Sequence, residues 1–312
     1  MKLIDLHCDT VAKLYADSSQ NLASNNLSVD LQKLADTDSM AQVFALFINM
    51  EKVDSPAATA FAMLEILKKE LENNDDRIAW AGTAEDVLRN DAESRMSALI
   101  ALEEGGILEG SIDNLRSFYE KGARFITLTW NYPNQIGFPH GEEHGHKGLT
   151  PFGFTVLEEL NRLGMIADVS HLSEGGFWDV AKHCKTPFMA THSNCRALRD
   201  HTRNLTDEQI RALADKGGVM GISVVKNFLK DGEDEGRPEA MVAHIRHAHA
   251  VGGLDVLAIG TDFDGTSTNH EFARIDDLNK IEPMLRQAGY TTDMLEKIYW
   301  RNALRVMGSV LR

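Results

Sequence analysis

The sequence predicts an α/β fold, and within that class a (β/α)8 TIM barrel. Three observations carry this. About eight short apolar runs alternate with segments whose apolar residues recur at helical spacing, the pattern of parallel strands joined by crossover helices. Several of those runs end in a histidine or a carboxylate, and a barrel keeps its chemistry at the carboxyl ends of its strands. The length of 312 residues suits one barrel of about 250 residues with insertions. No linker, repeat or low-complexity tract divides the chain, so residues 1–312 read as a single domain.

Composition narrows the partners. With 32 Lys and Arg against 47 Asp and Glu the net charge is −15, which attracts neither nucleic acid nor an anionic membrane. Part of that charge is expected to serve as metal ligands. Cys8, Cys184 and Cys195 are odd in number and lack CxxC spacing, as expected of a reduced, cytoplasmic protein rather than a secreted disulfide scaffold. The first residues, MKLIDLHCDT, already read as a strand, so no signal peptide is expected, and no apolar run approaches a membrane span. Oligomeric state stays open, a homodimer included.

The first strand, residues 3–6, ends in His7-Cys8-Asp9. His7 and Asp9 are two apart and share a strand face. Alone they read more readily as a polar strand cap, but imidazole with carboxylate also suits a borderline cation such as zinc. Residues 42–49 are the second strand candidate. Ser55-Pro56 opens a helix, serine as cap and proline in the first turn, whose stripe of Phe61, Leu64, Leu67 and Leu71 is core packing. A short run at 78–81 precedes Thr83 and Asp86, spaced as a capping box. The strand at 97–102 ends in Glu103-Glu104-Gly105-Gly106, carboxylates at the structural place His7 occupies on its own strand. A helix at 112–121 stops at Gly122, and the strand at 125–129 leads into Trp130-Asn131.

Residues 132–150 form a long loop around HGEEHGH. A mobile, substrate-covering lid is favoured over a stray metal site. The helix at 151–163 ends at Gly164. Then come two apolar runs, 166–169 and 187–190, each reaching a histidine, His171 and His192, after one hydroxyl residue, with a helix at 175–183 between them. In a parallel sheet those two ends share an edge, so the imidazoles converge. Beyond His192, Arg196, Arg199 and Arg203 fall within eight residues, one of them suited to clamp a carboxylate. A helix at 206–214 and a strand at 218–225 follow. The charged stretch 226–239 reads as a surface excursion, and the helix at 241–250 carries His244, His247 and His249 as surface residues rather than ligands. The last strand, 254–259, leads to GTDFDG, where Asp262 and Asp264 share a face. Helices at 275–287 and 292–311 close the chain.

The rim set is then His7, Asp9, Glu103, His171, His192 and Asp262. Three histidines and a glutamate able to bridge suit two metal ions a few ångströms apart, a pairing that generates hydroxide at neutral pH.

With these motifs in place, the sequence resembles the membrane (renal) dipeptidases, zinc peptidase family M19, within the metal-dependent hydrolase barrels. The segments LIDLHCDT, ALIALEEGG, GARFITLTWN, KGLTPFG, IADVSHLS, THSNCRALRDHTRN, IGTDFDG and NALRVM carry the likeness over nearly the whole chain. The resemblance implies a dipeptide substrate and two zinc ions, or another divalent metal. It places His7, Asp9 and Glu103 on one ion and Glu103, His171 and His192 on the other. Gap-free spacing to LRSFY and GARFITLT selects Glu103 over Glu104, which becomes a loop carboxylate. Arg203 is similar to the family's clamp for the dipeptide's terminal carboxylate. Asp262 is similar to the carboxylate that contacts the attacking hydroxide and shuttles its proton. Where many members have a substrate-contacting histidine, this chain has Trp130, as in some bacterial relatives. Trp130 and Asn131 are expected at the substrate, and acceptance of a D-residue at the C-terminal position stays open.

Two rival readings fit less well. A deaminase or cyclic amide hydrolase on the same barrel typically has HxH on the first strand and often a carboxylated lysine, where this chain has HxD and a glutamate. A non-catalytic metal-binding protein would be expected to have lost ligands, and every ligand position is filled.

Overall fold

The computed structural model describes residues 1–230, 236–266 and 269–312. Its strands are β1 (Leu3–Cys8), β2 (Ser39–Phe47), β3 (Ile78–Trp80), β4 (Met96–Glu103), β5 (Ala123–Thr127), β6 (Ile166–Asp168), β7 (Met189–Ala190), β8 (Val219–Ile222) and β9 (Leu257–Ile259). Parallel pairing runs β1-β9-β8-β7-β6-β5-β4 and closes through β2 back to β1, an eight-stranded ring. The expected barrel is present, with β3 outside the ring. β3 pairs with Met96, Ser97 and Ala98 of β4, ahead of Ile100, where β5 takes over that edge.

The strands are continuously apolar because both faces are covered. Leu99 and Ala101 of β4 cluster with Ile4, Val43, Phe125, Ile166, Met189 and Val219 inside the ring. The alternate residues Ala98, Ile100 and Leu102 pack outward with Leu64, Leu67, Leu115 and Phe118 from the surrounding helices. The last helix, Asn302–Val310, adds Ala303, Val306, Met307 and Val310 to the inner cluster. Its Arg305 donates to the Gly217 carbonyl just ahead of β8, so the helix crosses the amino-terminal mouth. The carboxyl-terminal rim is the end left for polar residues.

Several local expectations change in the structure. Thr83 and Asp86 form the reciprocal capping box, but Ser55 does not cap its helix. Its hydroxyl donates to Glu109, whose Oε1 accepts the Ala57 amide instead. The closing helices are interrupted. Ile275–Lys280 is 3-10 before Ile281–Gln287, since Pro283 supplies no amide for a bond back across that join. Thr292–Glu296 passes through a π turn, Lys297–Arg301, before Asn302–Val310.

The loop expected as a mobile lid is tied along the segment after His171. Pro139 bridges Leu172; Ser173 N donates to Phe138 O, His140 N to His171 O, and Gly175 N to Gly145 O. His140 of this loop walls the rim cavity. The stretch expected as a surface excursion also contributes to the interior. Lys226–Leu229 is a helical turn with Leu229 buried, and residues 231–235 lie outside the described residues. His244 is a correction too. It is buried, its Nδ1 accepting the Cys195 amide and its Nε2 donating to the Leu229 carbonyl, because backbone packed over the helix has to be paired. His247 meets Asp207 and His249 meets the Tyr290 hydroxyl, so none of the three reaches the rim.

Candidate metal centre

His7 and Asp9 reach the rim through an irregular strand end. Asp5 pairs with Gln42 of β2, and the next pair is Cys8 with Phe44. Three steps along β1 thus match two along β2, an inserted residue that re-aims the side chains around it. Asp262 is not on a strand. β9 stops at Ile259, and the chain continues beside β1 with Asp262 N donating to His7 O and Asp9 N to Phe263 O. Asp262 and Asp264 both have left-handed backbone, φ 65° and 66°, which aspartate tolerates better than most residues. The shared face expected for them is absent, since the alternation holds only in extended backbone. Asp262 turns into the rim, while Asp264 accepts from Thr10 Oγ1 and the Ser28 amide.

Six side chains meet there. Ligand atoms of His7, Asp9 and Glu103 lie within 4.8 Å of one another, as do those of Glu103, His171 and His192, and those of His7, His192 and Asp262. Glu103 stands between the first two groups. Its Oε2 is 3.1 Å from His7 Nε2, and its Oε1 is 3.5 Å from His171 Nε2 and 3.9 Å from His192 Nε2. His171 Nε2 and His192 Nε2 face each other at 2.9 Å.

The surrounding hydrogen bonds hold the rings with Nε2 turned inward. Asp168, buried at the end of β6, accepts from the hydroxyls of Thr127, Ser170 and Thr191. Thr191 Oγ1 therefore accepts from His192 Nδ1, 2.9 Å away, leaving His192 Nε2 without a proton. Asp5 is buried below His7 and accepts from Gln42, from Thr261 N and from Thr261 Oγ1, and the Thr261 hydroxyl also reaches the His7 carbonyl.

The residues fit a metal. His7 Nε2, Asp9 Oδ1 and Glu103 Oε2 are buried polar atoms without a hydrogen-bond partner, a costly state that a cation relieves. Gly265 keeps the cradle open, since a Cβ there would sit 2.1 Å from Asp9 Oδ2 and 2.5 Å from Asp262 Oδ1. Burial, with Arg203 adding to it, holds His171 well below the ordinary histidine range, and burial with His7 and Arg203 does the same to His192. Burial opposes charge on His7 as well, but Glu103 and Asp9 outweigh it and hold His7 well above that range. Asp9 is pushed up to about 7 by burial and by Glu103. Asp262 also rises to about 7, by burial and the nearby Asp9 against the pull of His7 and Arg203. Cations bound beside Asp262 would favour its ionised form and oppose this rise.

Metal uptake is accordingly expected to release protons. His171 and His192 enter neutral, whereas a cation displaces protons held on His7 and Asp9. Low pH loads those groups and weakens binding; raising pH through about 7 unloads Asp9 and strengthens it. Calorimetric titration in buffers of different ionisation enthalpy should report a larger release at about pH 6 than at about pH 8. Zero release at both would contradict it.

A cavity of about 400 Å³ opens over these residues, walled by Phe47, Trp130, His140, His201, Arg203 and Phe228. Arg203 is buried. Its Nη1 and Nη2 donate to the carbonyls of Ser170 and His192, its face lies 5.1 Å from the Phe228 ring centroid, and its Nε has no partner. Burial lowers it to about 10, opposed by Asp262, Asp168 and Glu103. Trp130 lines the cavity edge-on to Phe47. Asn131 also lines it, but its Oδ1 is engaged by His171 and His140.

Glu104 is no solvated loop carboxylate. Fully buried, it accepts from Gly106 N, Trp130 N and Asn134 Nδ2, joining the β4 end to the loop wall. Sequence reading missed this, along with Asp168, Asp5, His140, His201 and Phe228. The paired glycines after Glu104 were the available signal for it, since they permit the turn that buries it. Nothing local marks Asp5 or Asp168, whose partners lie far away in sequence.

An eight-stranded barrel that gathers three histidines and three carboxylates at its carboxyl-terminal rim defines the class of metal-dependent hydrolases. A family model described as membrane dipeptidase, peptidase family M19, matches residues 1–312. The chain belongs to that family and is a dipeptide-hydrolysing metalloenzyme. It is 36% identical over 264 residues to an uncharacterised protein in the pqqA 5′ region of Klebsiella pneumoniae, covering 82% of this chain and 97% of that one. It is 28% identical over 295 residues to dipeptidase tcpJ of Claviceps purpurea, covering 90% and 69%. Its fold matches a metallopeptidase of Rhodobacter sphaeroides solved with a phosphinate mimic of L-Ala-D-Ala, with TM-score 0.92, 23% identity and 99% of both chains covered.

Proposed function

We propose that this dipeptidase works with two zinc ions, one that His7, Asp9 and Glu103 would hold and one that Glu103, His171 and His192 would hold. One observation carries the reading: the two oxygens of Glu103 divide between the two histidine groups. Five ligands are too many for one closed tetrahedral zinc. When bound, the ions polarise the peptide carbonyl and make water acidic enough to ionise near neutrality.

The protein's own groups do the rest. Arg203, at the cavity wall, would take the dipeptide's terminal carboxylate in a charge-assisted contact worth about 1.5–3 kcal/mol. That contact sets the scissile amide over Glu103. As water oxygen bonds to the carbonyl carbon, Asp262 accepts the water's proton. It passes that proton to the nitrogen as the C–N bond breaks, releasing two amino acids. Phe47, Trp130 and Phe228 wall the cavity against longer chains. Because Arg203 reads the carboxylate and not the side chain beside it, the proposed range includes dipeptides with a D-residue at the C-terminal position. Three free, buried cysteines support a reducing, cytoplasmic location.

A panel of L,L and L,D dipeptides with zinc-loaded protein tests the activity, each compared with its C-terminal amide. Arg203→Ala should raise KM more than it lowers kcat. It also strips the Ser170 and His192 carbonyls of a donor, so metal content is measured on the same preparation. Equal cleavage of acid and amide by the wild type would remove the clamp.

A further inference from the structure

The loop wall touches the metal edge through one short chain of hydrogen bonds. Thr202 Oγ1 lies 2.7 Å from His140 Nδ1, His140 Nε2 lies 3.1 Å from Asn131 Oδ1, and Asn131 Oδ1 lies 3.0 Å from His171 Nδ1. An amide oxygen only accepts. Both imidazoles therefore donate to it, His140 from Nε2 and His171 from Nδ1. His140 Nδ1 is left bare and accepts the Thr202 hydroxyl. His171 Nε2 is left bare and faces His192 Nε2. Turned over, the Asn131 amide would present N–H to His171, move that ring's proton to Nε2, and aim it where a cation belongs. His140, donating to Asn131 from the other side, opposes this turn. The backbone is tied at the same place, with His140 N donating to His171 O at 2.7 Å.

We propose that Asn131 and His140 are positioning residues: they fix the tautomer and direction of His171 as a metal ligand, and so join the loop at 132–150 to the metal edge. This rests on the two-ion reading above. Asn131 then acts on the substrate only through His171, and His140 only through Asn131.

The test uses the whole protein reconstituted with cobalt(II), in wild type, Asn131→Ala, Asn131→Asp, His140→Ala and His140→Gln. Affinity is read by competition with a chelator, ligand geometry by the visible absorption of cobalt, and integrity by the thermal midpoint of metal-free protein. Asn131→Ala should weaken one of the two ions by about 10–100-fold, the range for losing the partner of a metal-bound histidine. The other ion should stay near wild type, the cobalt spectrum should change, and the metal-free midpoint should not move. His140→Ala should follow in the same direction with a loss of up to about tenfold. Asn131→Asp keeps the acceptor and His140→Gln keeps the donor, so both should restore binding. Wild-type affinity and spectrum in both alanine variants would overturn the proposal. Equal weakening of both ions with a fallen midpoint, or His140→Gln as weak as His140→Ala, would overturn it too. Uptake of fewer than two ions by the wild type would instead bring down the two-ion reading, and this inference with it.

Discussion

Glu103→Ala is expected to leave a folded protein that holds neither ion firmly, with hydrolysis down by more than about 10⁴, since both the electrophile and the activated water are lost. Its two oxygens serve both histidine groups, so one substitution takes a ligand from each. The fold should survive. The Glu103 carbonyl still accepts the Ile48 amide, and removing the carboxylate relieves the repulsion that helps raise Asp9. Metal analysis of protein purified without chelator should fall from near two equivalents to a small fraction. One ion retained at wild-type affinity would refute the bridge.

Asp262→Asn should keep both metals and bind dipeptide, while turnover falls by about 10²–10⁴, the range for losing general acid–base help. The substitution is nearly isosteric, and asparagine accepts the left-handed backbone at φ 65° as readily as aspartate. Loss of the proton carrier is thus separated from backbone strain. Asp264→Asn is the control. It shares the same backbone region, but its oxygens are spent on Thr10 and Ser28, so it should retain far more activity. Near-wild-type turnover in Asp262→Asn with metals intact would send the proton elsewhere.

The barrel was legible because its signal is local and repeated. An apolar run such as 97–102 must be covered on both faces, and successive runs of that kind with amphipathic helices between leave few topologies. Parallel strands put their carboxyl ends on one rim, so His171 and His192 could be brought together without knowing any contact. The same argument reached His7, Asp9, Glu103 and Asp262, each just past an apolar run. It did not set β3 apart from the ring strands, because an apolar triplet reads alike inside the ring and beside it.

The chain by itself therefore determined the fold class, which follows from period, and, together with the family resemblance, which six side chains crowd the rim. Only the tertiary structure decided how those side chains are held. Asp168 orders His192 through Thr191, Asp5 braces Thr261 below His7, and Glu104 ties β4 to Trp130. Arg203 grips the carbonyls of Ser170 and His192, and a loop histidine at 140 reaches His171 through Asn131. Such partners lie up to 256 residues apart. A buried hydrogen bond is satisfied by whatever group packing delivers within about 3 Å, and spacing along the chain does not encode that delivery.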